Sequence, residues 1–156
     1  MKKFLAQISQ LVGTPKVREL YVDTASLLFI VLFIYASVSK LLDYQKFMIQ
    51  LRQSPLLSAW SVLFSWFVPA IEIILAIMLV FSRTRIMALY GSFTLMVTFT
   101  AYIITILNFS DYIPCSCGGI LENMSWKEHL LFNLGFTALV VIGILLESEK
   151  KRFELY

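Results

Sequence analysis

Cysteine is nearly absent from this chain. Of 156 residues only Cys115 and Cys117 carry a thiol, and both lie in "PCSCGG", residues 114–119. A structural zinc site needs four ligands and a repeated C-x2-C spacing, so two cysteines one residue apart exclude it. They also exclude an internal relay between two cysteine pairs. Histidine is scarcer still, with His129 alone. Charge is the third scarcity. Charged residues make up 15% of the chain, against about a quarter in an ordinary soluble domain. That shortage excludes a soluble fold, and because no basic cluster interleaves with exposed aromatics it also excludes a nucleic-acid surface.

What fills the space is apolar. Hydrophobic residues are 59% of the sequence and the mean hydropathy is +0.80. A bilayer core about 30 Å thick takes about 20 mostly apolar residues per helix. Four segments meet that length, 24–42, 59–81, 86–108 and 127–146. They leave no room for a separate soluble domain. The expected fold is all-α, an integral-membrane four-helix bundle spanning residues 22–147, with lipid as its first partner and a basic tail over 148–156.

The distribution of cations orients it. Lys2, Lys3, Lys16, Arg18, Arg83, Arg85, Lys150, Lys151 and Arg152 fall on one side of a four-span layout, and Lys40, Lys46, Arg52 and Lys127 on the other. The positive-inside bias makes the first side cytoplasmic. Both termini are then expected in the cytoplasm of a bacterial inner membrane, with 43–58 and 109–126 outside. The cysteine pair thereby faces the compartment where disulfides persist. Residues 1–21 read as a separate element. Phe4, Leu5, Ile8, Leu11 and Val12 share one helical stripe, and Gly13 and Pro15 are expected to stop that helix. A short basic amphipathic helix on the cytoplasmic leaflet followed by a linker is the expectation.

Polar residues at membrane depth mark function or buried pairing. Glu72, inside "WFVPAIEIILAIMLVF", is the clearest. A carboxyl there is expected to be neutral unless a cation reaches it, and Pro69, one turn earlier, removes a backbone hydrogen bond. Thr94, Thr98, Tyr102 and Thr105 follow helical spacing, as do His129, Asn133 and Thr137. These groups are expected to gather in the half of the bundle that carries the cysteine loop. Threonines in membrane helices also serve as plain packing contacts through backbone hydrogen bonds. "SWKE" places Ser125 at an N-cap and Glu128 three residues on, a capping box that starts the fourth span.

Three uses of Cys115 and Cys117 remain open. A bridge between them closes a tiny strained ring, which contributes little stability and is easily reduced. A redox couple fits that property, with His129 or the positive end of the fourth helix favouring the thiolate. Electrons would then pass to a quinone lined by Tyr102, Thr98 and Asn133, with Glu72 and His129 handling protons. A metal clamp uses the same sulfurs, with Met124 and His129 completing a Cu(I) site. With one pair only, redox work is expected to involve a thioredoxin-fold partner or an exported client protein. A third class is a non-catalytic assembly subunit.

Several stretches together resemble a known family. "SKLLDYQKF" (39–47), "WFVPAIEI" (66–73), "PCSCGG" (114–119) and "WKEHLLFN" (126–133) are similar to the MauE branch of the DoxX-like membrane proteins. The resemblance covers about residues 22–147. It implies a four-helix membrane bundle associated with periplasmic redox work, and MauE itself is linked to maturation of methylamine dehydrogenase, whose small subunit needs many disulfides. Residue by residue, the cysteine pair of that branch falls on Cys115 and Cys117. Its Pro-x-x-Glu falls on Pro69 and Glu72, and its lysine after the first helix on Lys40, with Asp43 beside it. The glycines after Cys117 depart from the aromatic-glycine of that branch. Together with the resemblance, the residue reading makes the chain a candidate thiol–disulfide oxidoreductase acting with a partner, with Cys115, Cys117 and Glu72 matched by the family and His129 added from its place beside the cysteine loop.

Overall fold

Pro15 begins a helix. In this computed structural model, which describes residues 14–54, 57–109 and 125–154, α1 runs unbroken from Pro15 to Leu42. Proline suits a first helical position because its missing N–H has no intrahelical partner there. The linker expected up to residue 21 is therefore part of the first span. The amphipathic helix expected before it lies outside the described residues. A ten-residue helix, α2, follows at Tyr44–Gln53, where the sequence was read only as an outside connection. After a 3₁₀ turn at Ser58–Trp60 come α3 (Ser61–Val80), α4 (Arg85–Phe109) and α5 (Trp126–Glu154). The basic tail expected from 148 continues α5 as far as Glu154.

Four segments are long and apolar enough to cross a membrane: Lys16–Leu42, Ser58–Val80, Arg85–Asn108 and Trp126–Ser148. They agree with the four spans expected from the sequence, except that the first starts earlier. The side-chain distribution agrees as well. Leu42, Leu131, Trp60 and Trp66 lie on the exterior, while Ser37, Ser65, Glu72, Ser92 and Asn133 are buried. That arrangement is inside-out for water and ordinary for lipid, where an apolar exterior meets apolar solvent. The chain is a multi-pass membrane protein.

The spans pack in sequence around a ring, α1 chiefly on α3 and α4 chiefly on α5, with lighter seams between α3 and α4 and between α1 and α5. The core holds Phe29, Phe33, Leu75, Leu79, Leu89 and Val140. Along the α1/α5 seam, Tyr21 donates to the Leu139 carbonyl at 3.3 Å, and Phe29 meets Phe136 edge to face with centroids 5.2 Å apart. At the end where α1 begins, Arg85 at the start of α4 bridges to Asp23 of α1 at 2.7 Å. The other end carries the 43–57 and 110–124 connections and is called the loop end below.

Lipid tails are as apolar as leucine, so close packing rather than release of water holds such helices together. Gly91 shows how close: a Cβ there would come 2.5 Å from Leu75 Cδ2, which sets the approach of α4 to α3. Gly91→Val is expected to force Leu75 from its place and cost about 1–3 kcal/mol. Its midpoint for thermal unfolding in detergent will fall well below the parent's. An unchanged midpoint would mean that the α3/α4 seam accepts the extra bulk.

Candidate functional site

Lys40 stands two residues from the end of α1 and Glu72 well inside α3, yet their side chains meet. Lys40 Nζ donates to Glu72 Oε1 at 2.8 Å. The reason is chain direction. Every Cα–Cβ bond in a helix tilts toward its N-terminus, and α1 and α3 run antiparallel. Lys40 therefore leans down toward the middle of the bundle while Glu72 leans up toward the loop end. The ammonium also donates to the Ala36 carbonyl at 3.3 Å, one turn deeper on its own helix. A lysine near a membrane surface normally snorkels out to water; this one reaches inward.

The pair is thoroughly buried, with the side chain of Lys40 12% exposed and that of Glu72 1%. The cation that the sequence reading required for a charged Glu72 is thus Lys40. Glu72 Oε2 has no hydrogen-bond partner among the described residues. Pro69, buried on the same face of α3, has no N–H to offer the Ser65 carbonyl, which leaves a second acceptor along that face.

On α5 the capping box read from "SWKE" is present. Ser125 N–H donates to Glu128 Oε2 at 2.7 Å and Glu128 N–H to Ser125 Oγ at 3.3 Å. The cap fixes where the helix starts and so places His129 in its first turn. His129 stacks on Trp126 with centroids 6.3 Å apart and lies within electrostatic reach of Lys40. Its Nδ1 is buried without a partner among the described residues, as is Nδ2 of Asn133, one turn deeper on the same face. Lys40, Glu72 and His129 thus form one polar cluster at the loop end, with Asn133 below it.

α2 covers that cluster. Its face of Phe47, Met48 and Leu51 is buried, and the Phe47 ring lies 6.0 Å from Lys40 Nζ. Two tyrosine–serine hydrogen bonds fasten it. The Tyr44 and Ser65 hydroxyls pair at 3.2 Å, and Tyr102 donates to Ser54 Oγ at 3.0 Å. Removing either hydroxyl in Tyr44→Phe or Tyr102→Phe costs about 0.5–1.5 kcal/mol of net hydrogen bonding. The expected result is faster amide exchange over residues 44–53 with the four spans unaffected. Equal exchange in parent and variants would show that packing alone holds α2.

The expected sites are partly brought together and partly dispersed. Glu72, His129 and Asn133 gather at the loop end. Tyr102 is engaged with Ser54 at the end of α2. Thr94 and Thr98, expected to gather in the half of the bundle that carries the cysteine loop, are exposed on the outside of α4. Their hydroxyls return to their own helix, to Tyr90 O at 3.0 Å and Thr94 O at 2.8 Å. That is the packing role of membrane threonines, so Thr98 does not line a buried polar site. Cys115, Cys117 and Met124 lie outside the described residues, in the connection that leads into Ser125. Among the described residues no group of three His, Cys, Asp or Glu side chains is placed to hold a metal ion.

The sequence reading passed over Lys40 as a site residue, although the resemblance placed a family lysine on it. The signal was available: an intramembrane carboxylate needs a cation, and Lys40 is the lysine nearest the lipid on the same side. An open apolar groove between α4 and α5, lined by Tyr90, Phe93, Val141, Ile144 and Leu145, lies toward the other end and has no part in this cluster.

Comparison with known proteins agrees with the resemblance in the motifs. A family model described as methylamine utilisation protein MauE matches residues 18–146, from the start of α1 through nearly all of the fourth span. No curated protein and no solved structure matches the chain. With the match running through the four spans and through Lys40, Pro69, Glu72 and the cysteine loop, the chain belongs to the MauE family.

Proposed function

We propose that this MauE-family protein handles disulfides of exported proteins at the outer face of a bacterial inner membrane, with both of its termini in the cytoplasm. Cys115 and Cys117 are the exchanging pair. Their disulfide accepts two electrons from a client's two thiols, or from a thioredoxin-fold partner, and leaves the client oxidised. The resulting dithiol is reoxidised by a membrane quinone, which takes up two electrons and two protons and becomes a quinol. On this reading the clients are disulfide-rich exported proteins, of which an enzyme of methylamine utilisation is the kind the family description suggests.

One observation carries the reading. In a bundle whose core cluster is apolar, a buried Lys40–Glu72 ion pair with His129 in electrostatic reach sits at the end from which the cysteine loop springs. Buried ionic groups in membranes are costly and mark proton or ligand traffic, and thiol oxidation releases protons that must be moved.

The test is the redox state of the two cysteines in membranes that are acid-quenched and tagged with a heavy maleimide. A largely oxidised pair that turns reduced when quinone is depleted is the expected result. Thiols that stay reduced, and take the label only after a copper chelator, would replace the disulfide couple with a Cu(I) site.

A further inference from the structure

We infer that the open groove between α4 and α5, with the cations at its foot, is a binding site for an anionic phospholipid. One acyl chain lies in the groove and the phosphate sits between Arg83 and the last turns of α5. The inference is independent of the disulfide reading, since no residue of the loop-end cluster takes part.

The groove is apolar and slender. Tyr90 and Phe93 of α4 and Val141, Ile144 and Leu145 of α5 line about 280 Å³. That is just below the range of about 300–1,000 Å³ in which a compact small molecule is enclosed. The groove is open along its side, which suits an unbranched chain lying along two helices. Bulk lipid fills any such channel, and lipid tails are as apolar as leucine. The groove alone therefore selects nothing, and selection has to come from the head group.

The register of the two helices places charge at the foot. α4 and α5 run antiparallel, and Gly143 packs on Leu89, a Cβ at Gly143 standing 3.8 Å from Leu89 Cδ2. These two residues are therefore level. Arg83, six residues before Leu89, is exposed in the turn that leads into α4. It is thus near the level of position 149, six residues after Gly143. On α5 the row Val141, Ile144, Leu145 continues at helical spacing through Ser148 to positions 151 and 152, which are Lys and Arg. Arg83 and those two positions flank the same end of the groove, about 9 Å or more beyond Leu89.

The acids at this end do not cancel that charge. Asp23 is paired with Arg85, Glu147 is 7% exposed, and Glu149 stands about 100° around the helix from Ser148. Arg83 makes no ion pair among the described residues. Tyr90, 53% exposed, adds a polar handle, because a helical aromatic side chain leans toward the N-terminus of its own helix and here that is the side of Arg83. Basic pockets between membrane helices hold anionic head groups in this way. A zwitterionic lipid would bring its own ammonium into the same cationic space, so the complementarity is to a lipid of net negative charge.

The experiment uses full-length protein, delipidated in detergent and titrated with a phosphatidylglycerol that carries a diazirine midway along one acyl chain. Crosslinked residues are mapped by mass spectrometry, with unlabelled phosphatidylglycerol or phosphatidylcholine of the same chains as competitor. Saturable labelling of Phe93, Val141 and Leu145, displaced far better by phosphatidylglycerol, is the expected result. Arg83→Gln, at an exposed turn position, is expected to weaken phosphatidylglycerol about fivefold, the effect of one cation at a membrane surface, and to leave phosphatidylcholine unchanged. Val141→Trp fills the groove and is expected to abolish saturable labelling at Phe93. Labelling spread evenly over the exposed faces of α1 and α3, or equal competition by the two lipids, would overturn the site. Labelling of the groove that falls as protein concentration rises would overturn it as well and give the groove to a second copy of the chain.

Discussion

Lys40→Met will destabilise the bundle by about 3–5 kcal/mol, and adding Glu72→Leu to the same chain will restore most of that loss. The single change leaves a carboxylate 1% exposed with no cation to compensate it. The double change removes both charges and puts apolar side chains of similar volume where lipid-like packing already surrounds them. A buried ion pair is weak evidence for stability, because each ion has been taken out of water to make it. Breaking one half is costly for the same reason. A double-mutant cycle, read by unfolding in mixed detergent, gives the coupling directly. Coupling below about 0.5 kcal/mol, within the scatter expected of independent sites, would mean that water or lipid headgroups already screen the pair. If the double variant is as stable as the parent, stability is not the reason the pair is present.

Much of what the sequence reading missed depends on packing between segments distant in the chain. Local signals were legible. Each apolar stretch of about 20 residues became a span, and "SWKE" became a capping box because its partners are three residues apart. Pairings over long separations were not. Lys40 and Glu72 are 32 residues apart, and only the antiparallel packing of α1 on α3 brings their leaning side chains together.

The threonine stripe of α4 shows a different limit. A spacing of four establishes that Thr94 and Thr98 share a face but not which face it is, and a hydroxyl bonded to its own helix is at home against lipid. α2 escaped notice because its ten residues are too few and too polar to read as a span, although Phe47, Met48 and Leu51 line its buried face, and the helix forms where it can lie on α3. Site geometry in this protein is thus a property of packing, whereas fold class is a property of composition.

Glu72→Gln separates chemistry from architecture. Glutamine is nearly the shape of glutamate, and its side-chain carbonyl can still accept from Lys40, so the contact at 2.8 Å has a substitute. What the variant loses is the charge and the exchangeable proton. A positioned proton donor or acceptor contributes about 10²–10⁴-fold to a rate. If Glu72 hands protons to the acceptor, reoxidation of Cys115 and Cys117 will slow by about that factor and the pair will accumulate as thiols. Because this change also leaves Lys40 without its counter-charge, some stability is lost, and the rate is read per molecule of protein remaining in the membrane. The measurement is stopped-time maleimide tagging after a pulse of reductant, in membranes with quinone present. Reoxidation at the parent rate in Glu72→Gln would assign the carboxylate to anchoring Lys40. The protons released by the thiols would then leave by another route, and His129, stacked on Trp126 at the mouth of the same cluster, is the group next in line for substitution.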